Sequence, residues 1–299
     1  MSAHHHHSHH QCVDHESDGL GVAFALNLFF TVVELVGGVL TNSVAIMSDA
    51  VHDLGDSIAI GSAWLLQRAS AKIPNKQFTY GYQRLSLLAA FINSAVLLAG
   101  SLLVLFLAIP RLWWPQMPHA EGMVVMAIFG IVVNGAAVLR LRKGKTLNSK
   151  VISWHLLEDV LGWVAVLVVS IFLVFYEWPI LDPLLSIGFS IFILVNVLKV
   201  FRSTVKLFLQ AAPEWFGGSD IEAKIIALDG VNAVHHTHVW SLDGNQSIFT
   251  SHVVLEEGQY SEHVVALKKL IRKIVGEHDI DCVTIEFEYA EERCEGIQH

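Results

Sequence analysis

The sequence predicts a polytopic α-helical membrane protein with six transmembrane helices, followed by a cytoplasmic α+β domain. Of the 299 residues, 53% are hydrophobic and 16% are charged, whereas soluble proteins carry roughly 25% charged residues. Long apolar runs fill the chain before residue 207, and the remainder is acidic, with 6 basic and 16 acidic residues. This composition excludes a soluble enzyme and a disordered chain. The net charge of −9 also argues against a nucleic-acid partner.

Six stretches are long and apolar enough to cross a bilayer, whose hydrocarbon core requires about 20 residues of helix. They lie at about 20–41, 44–67, 86–109, 122–140, 151–176 and 180–201. The predicted organisation is a His-rich tail (1–18), a transmembrane domain (19–208) and a soluble domain (209–299). The first apolar run is too long for a cleavable signal peptide, and it follows an acidic tail instead of a basic one.

Basic residues concentrate in alternate connections between the spans. The connections after the second, fourth and sixth spans each carry at least three Lys or Arg, whereas the others carry at most Arg111. Cytoplasmic loops of membrane proteins are enriched in Lys and Arg. Both termini are therefore predicted to be cytoplasmic.

Ionisable residues in the second and fifth spans have matching spacing. His52 and Asp56 are four residues apart, as are His155 and Asp159, so each pair lies on one helix face. Charged groups in hydrocarbon are costly and face a bundle interior or a water path. Two imidazoles and two carboxylates can supply the four ligands of a tetrahedral Zn²⁺ site, and this mixed set suits zinc better than Mg²⁺ or Ca²⁺.

Other interpretations exist for polar residues in the spans. A His–Asp pair could satisfy itself across a helix interface without a metal. Asp49 extends the His52 face outward, whereas Asp53 is displaced by about 100° around the helix. Four weaker signals are expected to reflect hydrogen bonds between helices: Asn27, Glu34, Asn93 and Asn134.

The soluble end follows a linker marked by Pro213 and Gly217-Gly218. Its pattern predicts a helix over 220–228 capped by Ser219, strands over 231–242 and 246–255, a helix over 261–276 and a strand over 283–289. Asp243-Gly244 indicates a two-residue hairpin turn between the first two strands. If Leu242 pairs with Asn245, His235 lies opposite His252, with Cβ atoms about 5 Å apart.

The paired histidines predict a second metal site. His235 and His252 could share an ion, and because side chains alternate along a strand, His236 and His238 are expected on the other face. The shell could be completed by Glu288 or Asp281, and by Cys294 or Cys282. The alternative is an ordinary polar edge at a dimer contact.

Five segments together resemble the cation diffusion facilitator family of zinc transporters, in its bacterial type. They are SVAIMSDAVHDLGD (43–56), FTYGYQR (78–84), HLLED (155–159), HHTHVW (235–240) and TIEFE (284–288). The resemblance implies a homodimer in the cell inner membrane, with six membrane helices and a cytoplasmic αββαβ domain of ferredoxin-like, metallochaperone-like type. It also implies exchange of divalent metal for protons, with transport ligands at His52, Asp56, His155 and Asp159. The family often has an acidic residue at the position of Ser86, a His at that of Asp281 and HDLHVW in place of HHTHVW.

These observations lead to one functional hypothesis with two alternatives. The hypothesis is secondary active efflux of divalent cations, chiefly Zn²⁺, from the cytoplasm in exchange for protons, because the sequence has no nucleotide-binding loop. Imidazole suits this coupling, since protons and metals compete for its nitrogen near neutral pH. Zn²⁺ would be the substrate and also a regulatory ion on the soluble domain. A metal-gated sensor and a passive metal channel are the alternatives, and no motif for an enzyme is present.

The first residues, HHHHSHHQC (4–12), could be an expression tag or native sequence. Tags are usually uninterrupted, and this run is broken by Ser8 and Gln11, which favours a native tail. Such a tail would capture metal weakly and raise its local concentration.

Overall fold

The computed structural model describes residues 10–70, 74–141, 147–218, 220–256, 261–278, 280–289 and 292, with side chains at 10–20, 67–70, 140–141, 147–155, 218 and 261–262 not described. The chain divides into two compact units. One is drawn from Met1–Ile73 and Ala89–Phe201, and the other from Pro74–Leu88 and Arg202–His299.

The described residues before position 209 form six long α-helices. They are α1 (His10–Thr41), α2 (Val44–Ser70), α3 (Arg84–Ala108), α4 (Ala120–Leu141), α5 (Leu147–Tyr176) and α6 (Leu181–Phe208). A short 3-10 turn, Ile109–Leu112, follows α3. Each predicted span lies on one of these helices. The bounds agree to within two residues for α3 and α4, whereas α1 begins ten residues earlier than its predicted span and α6 ends seven residues later.

Five segments of the described chain are long and apolar enough to cross a membrane. They are Gly21–Thr41, Arg84–Leu112, Ala120–Leu139, Leu156–Tyr176 and Leu181–Phe208. The helix α2 differs because Asp49, Asp53 and Asp56 interrupt its apolar sequence. Its crossing of the membrane stays a prediction.

Polar side chains join α1 to α2 inside the first unit. Asn27 Nδ2 donates to Ser57 Oγ at 3.0 Å and to the backbone oxygen of Asp53 at 3.2 Å. The Thr31 hydroxyl lies 3.3 Å from that of Ser57. The predicted interhelical role of Asn27 is therefore confirmed.

The first turn of α2 is fastened to α6 by Asp182. This buried carboxylate accepts hydrogen bonds from Ser43 Oγ at 2.6 Å and from the backbone N–H groups of Val44 at 2.8 Å and Ala45 at 3.2 Å. Farther along the two helices, the hydroxyls of Ser48 and Ser190 lie 3.1 Å apart. A carboxylate at a helix N-terminus satisfies unpaired N–H groups and complements the helix dipole.

The second unit contains α7 (Ile221–Ile226), β1 (Val231–Ser241), β2 (Ser247–Leu255), α8 (Ser261–Gly276) and β3 (Ile280–Tyr289). The described strands form a sheet of order β1-β2-β3, in which β1 and β2 are antiparallel and β2 and β3 parallel. The helix α8 has the predicted bounds, whereas β3 begins three residues earlier than expected. The predicted cap Ser219 lies outside the described residues.

One face of this sheet forms the core. Phe249 and Val253 of β2 pack in one cluster with Ile225 of α7 and Ile271 of α8, and all four side chains are fully buried. Side chains alternate along a strand. His252 therefore lies on the face opposite to the helices.

The hairpin has one more loop residue than predicted. The Leu242 N–H donates to the Gln246 oxygen at 2.9 Å, so Asp243–Asn245 forms the loop, with Gly244 at φ 99°. The predicted register is consequently wrong by one residue near the turn, where Ser241 pairs with Ser247.

A β-bulge between His235 and His238 then restores the predicted register. Such a bulge inserts one extra residue into a strand and shifts all later pairs. His236, at its centre, has a left-handed backbone with φ 49°. The predicted pairing of His235 with His252 is confirmed as a result.

Candidate metal sites

The helices α2 and α5 place one imidazole between two carboxylates. His52 Nε2 lies 3.9 Å from Asp56 Oδ2, one turn along α2, and 3.8 Å from Asp159 Oδ1 of α5. Zinc bonds of about 2.0–2.2 Å in a tetrahedron place ligand atoms about 3.3–3.6 Å apart. Each carboxylate oxygen is therefore only a few tenths of an ångström farther from His52 Nε2 than two zinc ligands are from each other. Among the described residues, however, the ligand atoms of these three side chains do not all lie within 4.8 Å of one another, so binding one ion requires a larger movement of the two carboxylates toward each other.

The fourth predicted ligand, His155, precedes Asp159 by one turn of α5. Its backbone is helical, and its side chain lies outside the described part of the structure. The structure thus brings together His52, Asp56 and Asp159, while the participation of His155 stays a prediction.

A cavity of about 550 Å³ adjoins these residues. Its polar lining comes from Asp49 and His52 of α2, Asn93 and Ser94 of α3, Glu158 and Asp159 of α5, and Asn196 of α6. Apolar side chains of α3, α5 and α6 complete the lining. A cavity of this volume, lined by these oxygen and nitrogen atoms, can hold a hydrated cation next to His52.

The expectation of interhelical hydrogen bonds is not met at two asparagines. Among the described residues, Asn93 Oδ1 and Asn134 Nδ2 are buried without a hydrogen-bond partner. Asn93 instead lines the cavity. Its amide is consequently available to a polar group inside the cavity.

The sheet carries a second group of possible ligands, one from each strand. His235 Nε2 of β1 lies 3.1 Å from Glu288 Oε2 of β3, and His252 Nδ1 of β2 is in close contact with Glu288 Oε1. Single ligand atoms of these three residues lie within 4.8 Å of one another. Glu288 is 7% exposed, so a buried carboxylate is held between two imidazoles.

The prediction that His236 and His238 lie on the other face is wrong. His238 pairs with Thr250, two residues before His252 on β2, and therefore shares the face of His252. His236 joins the group of possible ligands. Its ring centroid is 5.2 Å from that of His235 and 5.3 Å from that of His252. The bulge is the cause, because an extra residue in left-handed conformation breaks the alternation of side chains. No pattern in the sequence predicts this bulge. Glu286, whose Oε2 lies 3.6 Å from His252 Nε2, is on this face because it is two residues before Glu288 on β3.

Asp281 is not brought to the sheet cluster. It lies seven residues before Glu288 on β3, a separation of about 23 Å along a strand. Its carboxylate accepts a hydrogen bond from the Ser247 N–H at 3.1 Å. Cys282 lies near the same end of β3, about 20 Å from Glu288, and Cys294 lies outside the described residues.

Comparison with known proteins gives the family. Residues 20–209 match the model of the cation efflux transmembrane domain. The chain belongs to the cation efflux family. The match covers all six long helices, including the two that carry His52 and Asp159.

Relatives of this cation efflux protein align over most of its length. The metal cation efflux system protein CzcD of Cupriavidus metallidurans is 33% identical over 94% of this chain and 89% of its own. The zinc transporter ZitB of Escherichia coli is 30% identical, over 96% and 92%. A cadmium, cobalt and zinc/H(+)-K(+) antiporter of Bacillus subtilis is 31% identical, over 87% and 83%.

Proposed function

We propose that this cation efflux protein exports divalent metal ions, chiefly Zn²⁺, from the cytoplasm in exchange for protons. The observation that carries the proposal is the approach of His52 to Asp56 and Asp159, on two helices, beside a cavity that could hold a hydrated ion. Relatives named as a zinc transporter and as a cadmium, cobalt and zinc/H(+)-K(+) antiporter support the same substrate class.

The transport site consists of His52, Asp56, His155 and Asp159 in this proposal. Nitrogen and oxygen ligands together favour Zn²⁺ over ions that prefer oxygen alone. A proton on imidazole competes directly with a metal for the same nitrogen. Metal binding therefore releases protons, and protonation from the opposite side releases the metal.

In the proposed arrangement the protein crosses the inner membrane six times, and both termini lie in the cytoplasm. The helix α2 is a span in addition to the five apolar segments. The connection from α1 to α2 is only Asn42-Ser43, and the two helices pack along each other. A helix that returns beside an apolar span over its whole length crosses the same bilayer. The boundaries 1–18, 19–208 and 209–299 for tail, transport domain and cytoplasmic domain follow from this assignment.

The soluble unit is proposed to regulate transport within a homodimer. His235, His252 and Glu288 would bind a regulatory Zn²⁺, and the unit has the helix–strand–strand–helix–strand order of a ferredoxin-like domain. A bound cation would reduce repulsion between the acidic surfaces of two copies. Metal in the cytoplasm would then favour the assembly that exports it.

The test measures Zn²⁺ uptake into proteoliposomes under an imposed pH gradient, with the membrane potential clamped to zero. We expect accumulation of Zn²⁺ against its gradient, proton movement in the opposite direction, and loss of both in Asp56→Ala. Glu121→Gln, an exposed acid on α4, is the matched control and should transport normally. Downhill flux without proton counterflow would indicate a channel, and metal binding without flux would indicate a sensor.

A further inference from the structure

Glu34, in α1, is a fully buried acid that the proposed metal site does not use. Among the described residues, no N–H group and no hydroxyl donates to either carboxyl oxygen. The Asp53 carboxyl of α2 is at hydrogen-bond distance, so the expected interhelical hydrogen bond forms only when one of the two carboxyls carries a proton. The buried Asp182, by contrast, accepts bonds from Ser43 and from two backbone N–H groups. Asp182 has the donors that an ionised carboxylate requires, whereas Glu34 lacks them.

The groups that face Glu34 are themselves acidic. Its carboxyl lies next to that of Asp53 on α2, and Asp49 of α2 and Asp159 of α5 act on it at longer range. The same stretch of α2 also carries His52 and Asp56. Negative charge therefore surrounds a buried group that would itself be negative.

Basic side chains that could balance this charge are far away in the sequence. No Lys or Arg occurs between residues 20 and 67, and α4, which also packs on α1, has no ionisable residue between Glu121 and Arg140. A buried carboxylate without a donor or a positive partner is too costly to persist, so it binds a cation. The carboxyls of Glu34 and Asp53 are at hydrogen-bond distance, and one proton between them completes that bond. The cation that fits is a proton.

We propose that the Glu34 carboxyl is a proton-binding site of the exchange, distinct from the metal ligands. A divalent ion bound beside His52 and Asp159 adds two positive charges near Glu34, which stabilises its carboxylate. The O–H bond then breaks, its electron pair stays on the carboxylate, and the proton leaves to water in the cavity that Asp49 lines. When the metal departs, Glu34 takes up a proton again. This inference rests on the proposed exchange of metal for protons.

The test counts the protons released when Zn²⁺ binds to the purified full-length protein. Calorimetric titration in two buffers of different ionisation enthalpy gives this number. We expect Glu34→Gln to bind Zn²⁺ and to release about one proton fewer than the parent protein. The Zn²⁺ affinity of the variant should therefore change about tenfold less per pH unit than that of the parent protein. Glu121→Gln should release the parental number, and Glu34→Asp, which keeps a carboxyl, should restore it.

A second measurement needs no substitution and decides the matter if Glu34→Gln fails to fold. Infrared difference spectra of the parent protein, with and without Zn²⁺, detect the carbonyl stretch of a protonated acid. We expect this band to disappear when Zn²⁺ binds and to shift when glutamate is labelled with carbon-13. Absence of a Zn²⁺-sensitive, label-shifted band would overturn the proposal.

Two calorimetric results would also overturn it. One is an unchanged proton count in folded Glu34→Gln. The other is loss of Zn²⁺ binding in that variant, which would make Glu34 a metal ligand. If the parent protein itself releases no protons on binding Zn²⁺, the proposed exchange fails, and that outcome is distinct from failure of the Glu34 site alone.

Discussion

The site between α2 and α5 and the cluster on the sheet hold their histidines and carboxylates in different ways. His52 and Asp159 lie on separate helices, and their closest ligand atoms are 3.8 Å apart. His235, His252 and Glu288 lie on three strands that backbone hydrogen bonds lock in register. Helices can slide against one another more freely than strands can, because strands share backbone hydrogen bonds.

This difference suits two different tasks. A transport site must bind an ion on one side of the membrane and release it on the other, so ligands on separate helices that can move apart are an advantage. A regulatory site must hold its ion while the concentration stays high, and a rigid sheet provides preformed ligands. The account therefore predicts an essential membrane site and a modulating sheet site.

The largest predicted effect separates these two sites directly. Asp159→Ala should lower Zn²⁺ transport at least about 100-fold. Removing a residue that only hydrogen-bonds to a metal ligand usually lowers affinity or activity about 10-fold to 100-fold, and removing the ligand itself should lower it more. His252→Ala should lower transport only about fivefold, as expected when coupling between sites is removed. Initial uptake rates, normalised to the amount of folded protein, provide the measurement, with Glu121→Gln as the control. Equal losses in the two variants would remove the distinction between the sites.

Thermal stability should show how strongly Asp182 and Ser190 of α6 hold α2, the helix that carries His52 and Asp56. Asp182→Ala leaves the Ser43 hydroxyl and two backbone N–H groups without their acceptor, at roughly 1–3 kcal/mol for each buried donor, less than additively. Asp182→Asn keeps one acceptor oxygen and should destabilise less. Ser190→Ala, which removes one neutral hydrogen bond to Ser48, should cost about 1 kcal/mol. Thermal unfolding in detergent measures this series, and an equal midpoint for all three variants would refute the proposed anchoring of α2.

Selectivity should change when the membrane site loses a nitrogen ligand. His52→Asp leaves one imidazole and three carboxylates, so discrimination against Cd²⁺ and Mn²⁺ should weaken by about tenfold. The variant also lacks one nitrogen for which a proton competes with the metal, so uptake should depend less steeply on pH between about 6 and 8. Initial uptake of the three ions across this range provides the measurement. A metal ranking and pH profile identical to the parent's would exclude His52 as a ligand.

The smallest predicted effect concerns His236, which lies at the centre of the β-bulge in β1. His236→Ala should weaken Zn²⁺ binding to the sheet cluster by about threefold to tenfold. The reason is that the bulge brings the His236 ring beside the rings of His235 and His252. His238→Ala is the matched control, since His238 is exposed and its ring is 6.3 Å from that of His236. Calorimetry on an Asp159→Ala background isolates the sheet site. Equal effects of the two substitutions would assign His236 no special role.

Sequence periodicity predicts helix positions well and side-chain grouping less well. The bounds of α8 follow from its amphipathic pattern, and the HxxxD spacing predicts the approach of His52 to Asp56 because a helix turn is regular. The position of Asp159 beside His52 required the added assumption that both pairs face one point. The structure brings Asp159 to His52, although the ligand atoms of His52, Asp56 and Asp159 do not all lie within 4.8 Å of one another.

The features that the sequence did not reveal depend on irregular backbone or on helix pairing. One extra loop residue and one bulge compensate each other around the hairpin, so the predicted pair His235–His252 is found while His236 is on the unexpected face. The acidic surroundings of Glu34 depend on which residues of α2 pack against it, and an apolar sequence pattern does not predict that packing. Asp281 was misplaced because a motif position does not give a distance along β3.

The most direct test locates the ion itself. Crystals of the protein soaked in Zn²⁺, with diffraction measured above and below the zinc absorption edge, show each ion as an anomalous peak. The account predicts one peak about 2.0–2.2 Å from His52 Nε2 and from the carboxylates of Asp56 and Asp159, and a second among His235, His252 and Glu288. A peak at the sheet cluster with none between α2 and α5 would contradict the assignment of the transport site.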